Sequence, residues 1–549
     1  MMYAFDVETS CRAGVAWVWS WALCDEGLHT TYGNGVDWLR PILELPDGAE
    51  VWVHNLPFDG EFVFWALIEK GWRLTYTEDR DRKHGWFTPR IDANGMISVV
   101  IHNRGNRVTL RDSNRIFRCK LEKLPKLCGF SDEVVKLEMD YDEIREPNHI
   151  ATADEVAYQL ADVVILMKAM KWLRRFAPTG NTIGSIALND WKNFMGSSPF
   201  TPLTVDERMQ FNSLYSGGVV FTPPTNKRLY VKGRVYDRNS MYPSEACGSL
   251  PIRVRQMVNT RPPRFFFEGQ WAVHVIAKGV SLKPGCFPVI ITPYTGAARS
   301  HIDTLDKWFF SFEFEYILKN YTIEEYEVIQ SIEFETAPVC REFVEKWYAV
   351  KCLNDERRNF AKFVLNNLTG KFGEWDVHEL YKRELVGSGY ISKRINETRA
   401  TPNKWAFMPA VAFITARSRL ALAEAAQKSG VENLLYTDTD SVHTTGHLPA
   451  DMVDEVRLGA WKKEFDFNEC CYIKPKSYWE RNDTETVKRH AGLNSDATLA
   501  KAIDSKHGVF VDTGELISPD NMKPGSFFYS RVARKVRGGV VINREVKRL

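Results

Sequence analysis

Residues 434–445 read LLYTDTDSVHTT, two short apolar runs folded about a polar tip that carries Asp438 and Asp440. Apolar runs on both sides of a tight, polar turn make a β-hairpin. Two acids spaced by two leave one face of it. Such a tip is common by itself, because turns favour Asp. A third acid changes the reading: VYDRNSMYPS (235–244) sets Asp237 at the end of another apolar strand. Three carboxylates at strand ends repel one another unless cations lie between them. The chemistry that uses such a set is nucleotidyl transfer, in which one ion activates a hydroxyl and the other neutralises a triphosphate.

Between these acids lies RRNFAKFVLNNLTGK (357–371). Arg358, Lys362, Asn366 and Gly370 recur every four residues, while Phe360, Phe363, Val364 and Leu368 form a separate apolar stripe. One face packs on the protein and the other presents Lys362 and Asn366. A solvated charged face is the usual outcome for such a helix, but its place between two acid motifs argues for a role in the site. The helical pattern extends over 344–371, the stretch 374–404 reads as polar and irregular, and 410–430 is helical again.

The N-terminal end carries a second acid set. MYAFDVE (2–8) reads as a strand with Asp6 and Glu8 on one face; HNLPFDGEF (54–62) puts Asp59 at a helix start after Asn55. ADEVAYQLADVVILMKAMKWLRRF (153–176) is an amphipathic helix on which Tyr158 and Asp162, four apart, share a face. Four acids on three elements suffice for two divalent ions and phosphodiester hydrolysis, with Tyr158 placed to orient a water. Lys136, in VVKLEMDY, reads equally well as a surface lysine on its own residues.

A chain of 549 residues, with 44% apolar and 13% aromatic content, has room for three to five cored domains. The net charge of +2 is unremarkable, but its distribution is polarised. Lys523, Arg531, Arg534, Lys535, Arg537, Arg544, Lys547 and Arg548 face one acid, Glu545, near the C-terminus, while carboxylates recur from Asp132 to Glu155. Carboxylates for metals and Lys/Arg for phosphates can nearly cancel overall. Ten scattered cysteines without a CxxC pair point to reduced thiols in a cytoplasmic protein. Neither a secretory signal nor a membrane-spanning run is expected.

The motifs D-x-E, N-x₃-D and Y-x₃-D, in this order, resemble those of the DEDDy-type proofreading exonucleases. That resemblance implies metal ligation by Asp6, Glu8, Asp59 and Asp162, nucleophile positioning by Tyr158, assistance by Lys136, and contacts to a single-stranded primer end from Asn55 and Phe58. Ser113-Asn114 stands where such relatives carry a Ser/Thr-Leu pair that touches DNA. D-x-N-S-x-Y-P, K-x₃-N-x₃-G and Y-x-D-T-D-S resemble motifs A, B and C of family B DNA polymerases, and they occur in the family's order. Asp237 and Asp440 would then bind the catalytic Mg²⁺ ions (Mn²⁺ as a substitute) with Asp438 close by. Tyr242 would lie under the incoming sugar, Lys362 and Lys351 would grip the triphosphate, and Asn366 would line the nucleotide site. The family's tyrosine before the motif B glycine is Thr369 here. Lys476 and Tyr478, sharing a strand face, match a primer-holding K-x-Y motif; Tyr215, Gly217 and Gly218 match the Y-x-G-G linker between nuclease and polymerase.

The short total length and two insertions between motifs resemble the protein-primed branch found in phages and linear plasmids. AFITARSR, LGAW and RGGVVI strengthen that resemblance. The expected fold is α/β and α+β, multidomain: an RNase H-like DEDDy exonuclease domain over 1–180, then a right-hand polymerase over 181–549. Within the latter the expected parts are palm (about 181–251 and 407–490), insertion 1 (about 252–345), fingers (about 346–372), insertion 2 (about 373–406) and thumb (about 491–549). The implied partners are template-primer DNA, dNTPs and a terminal protein whose hydroxyl serves as primer. A monomer in the host cytoplasm, with no membrane association, is expected. The competing readings are an RNA- or DNA-primed repair polymerase and a nuclease with a non-catalytic DNA-binding platform. Covalent protein–nucleotide product separates the first of these from protein priming.

Overall fold

The computed structural model describes residues 1–12, 15–76, 85–140, 143–221, 229–259, 271–291, 298–353, 355–374, 377–386, 389–398 and 403–490, then strand segments 509–510, 516–517, 527–536 and 539–548. At the N-terminus an eight-stranded mixed sheet is built around the strand Met2–Arg12, antiparallel to Val15–Asp25 and parallel to Ala49–Val53. Strand alternation divides its side chains between two cores. Phe5 and Val7 join Val63 and Phe64 of the helix Leu56–Glu69, whereas Met2 and Ala4 join Val163 and Leu166 of the helix Ala153–Phe176. Asp6 and Glu8 continue the Met2–Ala4 face, so the period-2 rule sends them toward the long helix that carries Asp162. That helix starts with a Thr152/Glu155 capping box, which fixes its register.

A five-stranded antiparallel sheet follows, in the order Trp461–Phe467, Gly233–Arg238, Ser441–Thr444, Leu434–Asp438, Val220–Phe221. The predicted hairpin is its centre, and Asp237 pairs with Ser441 beside the tip. The helix Met408–Lys428, buried along most of its length, supports the sheet. The helical pattern expected over 344–371 is two helices, Arg341–Cys352 and Arg357–Phe372. Asp355 explains the break: its carboxylate accepts from the Arg357 N–H at 2.9 Å and so competes with helical pairing.

The stretch expected to be a first insertion (about 252–345) holds most of a four-stranded antiparallel sheet, Leu250–Val258, Tyr321–Ala337, Trp271–Leu282 and His301–Phe310, with the helix Ser311–Asn320. The reading of 374–404 as irregular is corrected. Val377–Val386 and Gly389–Thr398 pair in register as a hairpin. Gly-Ser between two strand-length runs is the sequence signal that could have found it. Three more strands, Glu469–Lys474, Ser477–Arg481 and Thr486–His490, form a small sheet beside the central one. In the C-terminal end Phe527–Val536 pairs with Gly539–Arg548; Lys523 and Arg537 of the basic stretch lie outside the described residues. Among the described residues no helix is long and apolar enough to cross a membrane, and the ten cysteines form no disulfide.

Candidate functional site

The N-terminal acids converge as the alternation dictates. Carboxylate oxygens of Asp6, Glu8 and Asp162 all lie within 4.8 Å of one another. Asp59, buried in the first turn of the helix Leu56–Glu69, is close enough to act on the charge of Glu8. Burial, then the charge of Asp162, pushes Asp6 up to about 7, and burial with Asp6 and Asp162 holds Glu8 well above the usual carboxylate range. Burial raises Asp162 as well, against the pull of Lys136. Acids crowded and buried together in this way are the setting that suits a bound cation. All of the ligands on offer are carboxylate oxygens, the donor set of a hard divalent ion, and Asp162 Oδ1 is buried with no hydrogen-bond partner.

Lys136 belongs to this centre and is not a bystander on the surface. Its Nζ lies 2.5 Å from Asp162 Oδ2 and 4.8 Å from the Tyr158 ring centroid. Tyr158 hydrogen-bonds Asp162 one turn along the helix. Asn55 is exposed and left-handed (φ 80°) at the helix start, with Phe58 half-buried against Phe62. Asp112, which the sequence reading did not single out, holds that corner: its Oδ1 accepts from the backbone N–H groups of Asn55, Leu56 and Asn114 at 3.1, 3.3 and 3.0 Å. Ser113 is fully buried, bonded to the Val53 carbonyl and to His54. This is a structural setting, not one open to a ligand; Asn114 is half-buried beside it.

The second set meets in an open cleft of about 880 Å³ whose lining includes Asp237, Asp438, Asp440, Lys362, Lys476 and Tyr478. Burial, then Asp440 and Glu464, pushes Asp237 up to about 7, while Lys362 and Lys351 pull the other way. Burial raises Asp440 too. Asp438 is turned to Lys476, whose Nζ lies 2.6 Å from its Oδ1. The lysine stripe of Arg357–Phe372 is as expected: Arg358, Lys362, Asn366 and Gly370 are exposed, while Phe360, Val364 and Leu368 are buried. Thr369 is buried too, so no ring projects from that position. Lys351 bonds Ser240 Oγ at 2.8 Å, and burial with Lys362 lowers its pKa. Tyr242 is close enough to feel Tyr215, Asp440 and Asp438; burial first, then their charges, pushes its hydroxyl up to about 12.

One expectation needs correction. Lys476 does not share a strand face with Tyr478. Lys474 pairs with Ser477, which leaves Pro475-Lys476 as the turn, with Lys476 left-handed (φ 61°). Both residues still line the same cleft. Tyr478 packs on Tyr436 and His443, with ring centroids 4.9 and 5.2 Å apart. Beneath them His443 Nδ1 and the Tyr472 hydroxyl both meet Glu480 Oε1 at 2.5 Å. The sequence reading missed this His–Glu pair, because its partners stand 37 residues apart. Glu464 and Arg489, also in the cleft lining, carry no motif. Tyr215 is exposed, and Gly218 abuts Thr439 so closely that a Cβ there would lie 2.7 Å from its side chain.

Comparison with known proteins agrees with this layout. The family described as DNA polymerase type B, organellar and viral, matches residues 153–382. The "DNA polymerase" of Bacillus phage PZA is 26% identical over 98% of both chains, and that of Bacillus phage phi29 is 26% identical over 98% of this chain and 97% of its own. The solved structure of Phi29 DNA polymerase with primer-template DNA and incoming nucleotide shares the fold at a TM-score of 0.88 and 22% identity, covering 100% of this chain and 99% of that one. The fold is therefore shared with that polymerase along the whole chain.

Proposed function

We propose that this chain is a DNA polymerase of type B, to which the matching family model and the phage relatives point, and that it copies DNA at the second carboxylate centre and removes misincorporated ends, 3′→5′, at the first. The observation that carries this reading is the single cleft that gathers Asp237, Asp438, Asp440, Lys362, Lys476 and Tyr478 from four separate segments.

Divalent ions, Mg²⁺ in the cell, would activate the attacking oxygen and neutralise the leaving one at each centre. Asp237 and Asp440 would hold them for synthesis; Asp6, Glu8, Asp59 and Asp162 would do so for proofreading. Lys362 and Lys351 provide positive charge for a triphosphate, Asn366 extends the same exposed stripe, and Tyr242 offers a ring for the sugar to rest on. Lys476 and Tyr478 meet the primer terminus, and Tyr215, Gly217 and Gly218 lead the template past the acid hairpin. In the first centre Tyr158 and Lys136 set the water against Asp162, while Asn55 and Phe58 hold the frayed primer end. We assign the exonuclease to 1–180 and the polymerase to 181–549. The first insertion receives a terminal-protein primer and the second helps encircle DNA, supporting strand displacement. The chain acts as a monomer in the host cytoplasm.

The deciding experiment is primer extension on a primed single-stranded template with Mg²⁺, with and without dNTPs, for the wild type beside Asp440→Ala. Extension with dNTPs and shortening without them, with only extension lost in the variant, supports the reading. Shortening alone in the wild type would leave the second half as a binding platform.

A further inference from the structure

The tip of the acid hairpin is strained. Thr439, between Asp438 and Asp440, is a β-branched residue in the left-handed region (φ 59°). It is restrained from outside the hairpin: its N–H donates to the Val219 carbonyl at 2.9 Å, and the absence of a side chain on Gly218 makes room for its own. The loop 215–219 therefore sets the backbone between the two aspartates. That loop is itself held from below. Arg419, 3% exposed, donates to the carbonyls of Ser216 and Gly217, and its other amino group pairs with Glu313, 4% exposed. Lys307 Nζ donates to Ser216 Oγ at 2.9 Å. Glu313 and Lys307 belong to the helix Ser311–Asn320 and the strand His301–Phe310 of the first insertion.

Arg419 thus pairs directly with Glu313, and Lys307 is near enough to feel the charge of both. Burial and Arg419 both lower the Lys307 pKa, and Glu313 raises it. Without Glu313, two cations would face each other under a loop with only carbonyl and hydroxyl oxygens to offer. We propose that Glu313 is a positioning residue for synthesis: through Arg419 and the 215–219 loop, the first insertion fixes the turn that spaces Asp438 and Asp440. The insertion is then a working part of the polymerisation centre. This rests on the reading of that centre given above.

Glu313→Gln is the informative variant, because it removes the charge but keeps an oxygen to cap Phe310 N–H, now bonded at 3.3 Å. The full-length protein, Glu313→Gln, Lys307→Met and the double variant are compared for extension of a primed template and for degradation of a single-stranded oligonucleotide. Glu313→Gln should lower extension about 10-fold, the lower end of what loss of an outer partner costs, with degradation at the N-terminal centre unchanged; the melting temperature should fall, as for any broken buried pair, so retained degradation is the readout that separates positioning from unfolding. Adding Lys307→Met should restore most of the loss by removing the surplus cation. Normal extension in Glu313→Gln, a parallel fall of extension and degradation, or a double variant no better than Glu313→Gln would each overturn the proposal. A wild type that fails to extend would overturn the reading of the centre itself, and the proposal with it.

Discussion

Asp6 and Asp440 sit in different centres, so their losses should separate. Asp6→Ala should abolish degradation of a single-stranded oligonucleotide while extension continues; Asp440→Ala should do the reverse. Each deficit should exceed the ~100-fold that loss of an outer partner can cost. A folded variant that lost both activities would contradict the two-centre arrangement. His54 makes a prediction about pH. Burial, against the Cys119 carbonyl bond, lowers its pKa to about 4. The folded protein keeps this imidazole neutral, whereas the unfolded chain takes up a proton below about 6.5. Its contribution is therefore complete above pH ~6.5 and is lost as pH falls toward ~4, a change of about 3 kcal/mol at most. Urea denaturation across that range should show a shallower slope for His54→Asn than for wild type. The acids could be read from sequence because chemistry fixes their type and spacing. His54 and Asp112 could not: both act on backbone groups, and Asp112 reaches across 57 residues to Asn55.

At the scale of elements, long amphipathic helices were legible from their own periodicity. Ala153–Phe176 and Met408–Lys428 fall within two residues of the expected limits. The hairpin Val377–Val386/Gly389–Thr398 was not, because much of what holds it lies in the other half of the fold. Its Arg383 enters the N-terminal core, pairs with buried Glu61, and lies 4.2 and 4.6 Å from the Tyr390 and Phe64 ring centroids. A polar strand with one inward arginine looks irregular until its acidic partner is known. Arg383→Leu strands Glu61 as a buried charge and should cost about 3–5 kcal/mol. Glu61→Leu with Arg383→Leu should recover much of this in thermal unfolding. Equal melting temperatures for the single and double variants would mean that the pair is not what docks the hairpin.

For the whole molecule, the order of motifs led to an expectation of two centres and two insertions, yet it could not say what those segments touch. Contacts such as Glu313 to Arg419 and Arg383 to Glu61 span 106 and 322 residues, beyond any local pattern. The hairpin docked on the N-terminal unit bears directly on the proposed encirclement of DNA. Deleting about 375–403 should leave short-gap filling intact and shorten products on a long single-primed template. Long products from that deletion would remove the second insertion from any role in processivity.

Each carboxylate centre also keeps an ammonium of its own: Lys136 against Asp162 at 2.5 Å and Lys476 against Asp438 at 2.6 Å. These tethered counter-ions relieve part of the mutual repulsion that an emptied acid cluster would otherwise feel. Chelation should then behave as a reversible off-switch. A sample stripped with EDTA should stay folded through storage and regain full activity when the ion is returned, with no refolding step.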